Sequence, residues 1–237
     1  MLKRKLHVLA HAQWSPTAAA PRPAPALLGA NERRRAPDAV LMALQVAEAA
    51  CAAAAVDAAT VATVFASAHG DLGLIDALCR TLAADPLLLS PLRFHHSVHN
   101  AASGYFAIGA GNRENGTAVA AGPCSFAAGL LEAACLCAAE DRTVLLVGCD
   151  TPAVGPLQSV NGSRAALAVA LLLAPQGSQP HRAIDWALAP LAAPLPPGNP
   201  MAAALPLLAA LQRPQAAQLA LPLSPHQGLL LSLRAQA

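Results

Sequence analysis

Apolar positions change rhythm several times along the chain. From Val40 to Ala55 they follow helical spacing, with Leu41, Leu44, Val46 and Ala47 near one face, behind a Pro37-Asp38 opening. From Thr60 to Ser67 the run is continuous and β-branched, which predicts a buried strand ending in the small turn Ala68-His69-Gly70. Leu72 to Ala84 returns to helical spacing, and Pro86 and Pro91 mark a loop. Ser97 to Ile108 starts as loop and continues as helix. Thr117 to Ala121 reads as a short strand, Gly122-Pro123 as a turn, Ser125 to Glu140 as a long helix of small residues, and Thr143 to Gly148 as a buried strand.

The remaining elements are shorter. Ala165 to Leu173 predicts a strand, and Ala183 to Leu188 one that returns beside it as a hairpin. Pro194 to Pro200 reads as a turn, Ala202 to Leu211 as a helix, and Gln218 to Leu221 with Gly228 to Leu233 as the last two strands. Ahead of all these, Trp14-Ser15-Pro16 and the stretch from Pro21 to Pro25 interrupt regular structure. Residues 1–37 are therefore expected to be an irregular N-terminal segment and 38–237 a single domain. Strands alternating with helices predict an α/β fold with a mixed, mostly parallel sheet covered by helices on both faces.

Composition sharpens this picture. Apolar residues make up 55% of the chain and charged residues 12%, too few to cover the surface well, which suits a subunit that buries an apolar face against a partner. A coding bias toward Ala, Pro and Arg accounts for the same numbers. The net charge of +2 gives no general attraction to nucleic acid. Lys3, Arg4 and Lys5 form a basic start, but Leu6 to Ala12 is too short and too polar for a signal peptide, and the longest apolar run, Ala165 to Ala174, falls short of a membrane span. A cytoplasmic protein with no membrane span is expected.

Candidate chemistry is sparse. The six cysteines include no C-x-x-C pair, so buried thiols acting as small apolar residues are the expectation. His95 and His99 have the spacing of metal ligands on a helix, but their stretch follows Pro91 and reads as a loop, so neither metal nor cofactor is expected. Asp71 and Asp150 follow strand ends and read as turn or cap residues. Arg33, Arg34 and Arg35 read as a solvated helix start, with contact to an acidic carrier protein as the alternative. The segment Thr117 to Pro152 runs strand, sharp turn, small-residue helix, loop and strand, the layout of a nucleophile elbow. There a helix N-terminus can lower a thiol's pKa.

Three segments, Val64–Ile75, Ser90–Ile108 and Thr117–Pro152, resemble in order and spacing the N-terminal half of the β-ketoacyl synthases of the thiolase superfamily. Phe94 to Asn100 and Ser125 to Ala133 bring the match closer to short proteins like chain length factors, a β-ketoacyl synthase-like N-terminal domain family of aryl polyene gene clusters. The resemblance covers roughly 33–175 and implies a thiolase-like half fold. It also implies that Thr117, Ala118, Val119 and Ala120 form the strand by which two subunits pair. Asn100 falls near that interface, and Tyr105, Phe106 and Phe126 are candidates for interface or tunnel-wall contacts, with core packing as the alternative for each aromatic. His69 falls where condensing enzymes carry a residue that gates the acyl tunnel, with a solvent-facing turn histidine as the alternative.

A condensing enzyme needs a cysteine thiolate and a second set of His or Asn residues, which ketosynthases carry in a C-terminal half. Here the family's cysteine position falls on Pro123, with Cys124 one residue later, and after Pro175 only His181 and His226 remain. The resemblance thus implies a non-catalytic partner of an active ketosynthase, forming a heterodimer in polyene, polyketide or fatty-acid-like synthesis on acyl carrier protein. An acyltransferase or condensing enzyme using Cys124, and a homodimeric acyl-binding scaffold, stay open as alternatives.

Overall fold

The computed structural model describes residues 4–18, 22–159, 161–175, 182–191, 194–195 and 197–235. Lys3 and His181 lie outside the described residues, as does most of the loop expected at 175–180. In chain order the elements are β1 Arg4–Trp14, α1 Ala30–Arg35, α2 Asp38–Ala53, β2 Ala62–Ala66, α3 Leu72–Ala84, α4 Pro91–His96, α5 Ala101–Ala110, β3 Gly116–Val119, α6 Ser125–Glu140 and β4 Val144–Asp150. They continue with β5 Leu167–Ala174, β6 Arg182–Ala189, α7 Leu205–Leu211, β7 Ala217–Ser224 and β8 Gln227–Leu233. Short 3-10 turns at Pro86–Leu88, Gly122–Cys124 and Pro200–Ala204 lead into the loops and helices that follow them.

The strands form a single sheet in the order β3-β2-β4-β5-β1-β6-β8-β7. Its helices occupy two layers, and strand alternation feeds both. Along β4, Val144 and Leu146 face a core shared with α6 and α7. Leu145, Val147 and Cys149 face a second core built on α2 and α5. β5 alternates in the same way, Leu167, Val169 and Leu171 to one side and Ala168, Ala170 and Leu172 to the other. A strand buried on both faces reads as a continuous apolar run, which is why β2, β4 and β5 were visible in the sequence.

α6 lies very close to the sheet. A Cβ at Gly129 would stand 2.7 Å from the Ala66 Cβ and 3.1 Å from a Leu146 methyl, so only glycine fits this crossing. Together with the turn before it, α6 is long and apolar enough to cross a membrane, and it is the one such helix among the described residues. Half of that stretch is buried against the sheet, as in a core helix.

Several expectations need correction. The first 37 residues are not an irregular segment outside the domain, because β1 is an 11-residue strand in the interior of the sheet, between β5 and β6. Its His7 and His11 hid the strand rhythm, yet Leu6, Val8 and Ala10 are buried. The sheet is mixed but not mostly parallel. β2 pairs in parallel with β3 and β4, and the other five pairings are antiparallel. β5 and β6 do not form a hairpin, because β1 inserts between them. The stretch after Pro91 is helical: proline sits in the first turn of α4, where no N–H is needed, and the Ser90 hydroxyl accepts from the Arg93 N–H.

Candidate functional site

β3 leads into α6 through a sharp turn. Gly122 sits at φ +54°, a left-handed conformation that favours glycine. The Ser125 hydroxyl accepts from the Ala121 N–H at 2.9 Å and donates to the Gly122 carbonyl at 2.7 Å, which closes the turn on itself. Strand, bend and helix therefore stand as the elbow layout requires. Cys124 ends the 3-10 turn and is buried, and burial pushes its thiol up, away from the thiolate a condensing nucleophile needs. The elbow is present, and its cysteine is buried with a raised thiol pKa.

The C-terminal ends of β2 and β4 are closed by a buried polar network. Asp150 is fully buried; its carboxylate accepts from the Ser67 hydroxyl at 2.9 Å, the Ala68 N–H at 3.0 Å and the His69 N–H at 2.9 Å. Burial raises its pKa, and these three hydrogen bonds pull the other way. Thr151 accepts from the Leu72 N–H and donates to the Gly70 carbonyl. Asn199 donates to the carbonyls of Asp150 and Ala165. Asp150 is a turn tie, and Asp71 caps α3 by accepting from the Leu74 N–H at 2.9 Å. His69 is exposed at the tip of this turn.

The histidines around α4 divide by partner. His96 is 6% exposed, with Nε2 2.8 Å from the Tyr105 hydroxyl. His99 Nε2 lies 3.0 Å from the Ser67 carbonyl, so that nitrogen carries the proton. His95 is exposed, its ring 5.9 Å from that of His96. Among the described residues no group of three or more His, Cys, Asp or Glu side chains could hold a metal.

The candidates for an interface do not stand together. Phe126 is 0% exposed between α6 and the sheet, and Phe106 packs on Phe65 in the opposite core, so both are core residues. Tyr105 is half-buried by its bond to His96, and Asn100 is exposed at the start of α5 without a side-chain cap bond. Thr117, Ala118 and Val119 lie on β3 at one edge of the sheet, with Ala120 exposed just after it. On α1, Arg33 donates to the Pro25 carbonyl and Arg34 pairs with Asn31, while Arg35 is exposed.

Sequence reasoning missed a set of exposed apolar side chains. Leu82, Leu87, Leu88, Leu92, Phe94, Val98 and Ile108 are seven of the ten large hydrophobic side chains exposed among the described residues, and all fall between α3 and α5. Leu87 is 93% exposed and Ile108 81%. The signal was present: aliphatic residues recur between Pro86 and Val98, a stretch too interrupted to be a buried strand. Between α1, α4 and α5 this surface carries a groove of about 310 Å³, lined by Leu28, His95, Val98, Tyr105 and Ile108 among others.

The two edges of the sheet differ. β7 carries Pro222 and a bulge, devices that blunt an edge. β3 carries neither proline nor charge. Asn115 and Val119 carbonyls both accept from the β2 side, so the alternation of a parallel ladder turns the N–H and C=O of Gly116 and Ala118 outward.

Comparison with known proteins agrees with this geometry. The family model described as "Beta-ketoacyl synthase, N-terminal domain" matches residues 9–220. No curated protein matches the chain. Among solved structures, a chain of the ketosynthase (ApeO) in complex with its chain length factor (ApeC) from Xenorhabdus doucetiae is 26% identical, with a TM-score of 0.69, covering 86% of this chain and 81% of that one. The ishigamide ketosynthase/chain length factor is 13% identical with a TM-score of 0.74, covering 98% of this chain and 100% of that one. A type II polyketide synthase acyl-carrier protein in complex with its ketosynthase, AntDE:AntF, is 8% identical with a TM-score of 0.77, covering 99% and 100%. The last two likenesses speak for the thiolase-like fold alone.

Proposed function

The chain belongs to the β-ketoacyl synthase N-terminal domain family, and from that premise we propose that it is a non-catalytic, chain length factor-like subunit that pairs with an active ketosynthase. The observation that carries this reading is the unprotected β3 edge, and the exposed apolar side chains of 82–108 support it. An open strand edge offers backbone donors and acceptors to a second strand, and exposed apolar side chains leave water on association. The heterodimer works in the cytoplasm on chains carried by acyl carrier protein, in polyene or polyketide synthesis. This subunit shapes the complex and the partner supplies the chemistry.

Cys124 supports the non-catalytic part. Its thiol is buried, its pKa is raised, and no basic group lowers it.

Co-expression with a ketosynthase from the same gene cluster, followed by affinity capture and size-exclusion chromatography, tests the reading. A one-to-one complex is expected. A self-dimer that ignores the ketosynthase would overturn it, and acyl elongation by the purified chain alone would restore the condensing-enzyme reading.

A further inference from the structure

α4 is a short helix that carries exposed Leu92 and Phe94, and a side-chain hydrogen bond joins it to α5. At its last residue, buried His96 places Nε2 2.8 Å from the Tyr105 hydroxyl. Three residues on, His99 holds the Ser67 carbonyl, so the turn between the helices is fastened at both ends. Beneath it lies a cavity of about 30 Å³, room for one water molecule, bounded by α2, β2 and β4.

We propose that His96 and Tyr105 form a pH-sensitive latch, closed while His96 is neutral, that sets the position of α4 and with it the apolar face carried by α4 and α5. What this face binds rests on the function proposed above; the latch itself does not. A neutral imidazole fits its buried place at no electrostatic cost, whereas an imidazolium there must lose water and has no carboxylate in hydrogen-bond contact. The titratable groups around the pair are His95 and Arg93 on α4, Tyr105 on α5, Glu32 on α1, Asp71 at the start of α3, and His99 and Cys149 across the cavity. Burial lowers the His96 pKa, the His95 charge adds to that, and Asp71 opposes it. A lowered basic pKa means that the latch is fully stabilising above the ordinary value of 6.5 and weakens as pH falls through the folded value. Protonation then favours states in which α4 lifts and the ring reaches water.

Tyr105 is the sole tyrosine of the chain, so it gives one ring signal in NMR of the purified protein. The Tyr105 signal should move with pH at the same midpoint as the His96 ring. Hydrogen exchange of the α4 amides, corrected for the intrinsic rate, should lose at least about threefold in protection between pH 7.5 and pH 5.5, while α2 and β4 keep theirs. His96→Gln, neutral and able to reach the hydroxyl, should hold α4 protection constant over that range. Tyr105→Phe should bring the pH 7.5 value down toward the acid one. Protection of α4 that is independent of pH in the unaltered protein, a pH response that persists in His96→Gln, or an unchanged Tyr105→Phe would each overturn the latch. These measurements need no partner, so their failure is distinct from failure to bind a ketosynthase.

Discussion

The Asp150 carboxylate accepts the Ser67 hydroxyl at 2.9 Å across 83 residues of chain, fastening the turn after β2 to the end of β4. The Ala68 and His69 N–H groups complete the site. Asp150→Ala would strand the buried Ser67 hydroxyl and two part-buried N–H groups and should cost about 2–4 kcal/mol, read as a lower midpoint in urea. The pH dependence has a definite sign. The folded pKa is raised, so the contribution of Asp150 is largest in acid and is lost as pH rises through the folded value. The stability difference between the unaltered protein and Asp150→Asn, which does not titrate, should therefore be greater at low pH than at neutral pH.

Gly129 tests the packing of α6 on β2. Gly129→Ala would put a methyl 2.7 Å from the Ala66 Cβ and should cost about 1–3 kcal/mol, seen as a drop in Tm. Ala66→Gly in the same chain should recover part of that loss, because the two positions share one contact. Strict additivity of the two changes would mean that the clash is relieved elsewhere.

Thiol reactivity separates a companion subunit from an enzyme. Cys79 is exposed, whereas Cys51, Cys124, Cys137 and Cys149 are buried. Burial pushes the Cys51 and Cys137 thiols up to about 11 and raises those of Cys124 and Cys149. Iodoacetamide at pH 8 should label Cys79 first and Cys124 at least about tenfold more slowly. Fast labelling of Cys124 with loss of acyl transfer in Cys124→Ala would speak for catalysis.

The outward-facing N–H of Ala118 is the donor that a pairing strand would use. Ala118→Pro removes it while leaving the β2 side of the ladder intact, and edge strands tolerate proline. The variant should stay folded by circular dichroism and fail to co-elute with the ketosynthase. Ile108→Glu, on the exposed side of α5, should weaken the complex in the same assay and leave the Tm nearly unchanged.

Local signals suffice where chain and structure obey the same rule. α3 runs over Leu72–Ala84 and α6 over Ser125–Glu140, the ranges that spacing and turn residues predict. The elbow was legible because glycine and proline mark a bend by their own backbone limits. The start of α4 is ambiguous in the sequence, because a proline after Ser90 marks a break in a chain and equally the first turn of a helix. The apolar surface at 82–108 was missed because exposure is a property of what lies opposite, which no local pattern records.

The sequence by itself determined the family, the α/β class, the bend between β3 and α6, and the helices whose periodicity is their own. Tertiary structure alone decided that β1 inserts between β5 and β6, that most strand pairings are antiparallel, and that Phe106 and Phe126 fill opposite cores while Leu87 and Ile108 meet solvent. The physical reason is range. Helix spacing and turn geometry are fixed within a few residues, whereas strand order and burial follow from contacts between segments far apart in the chain.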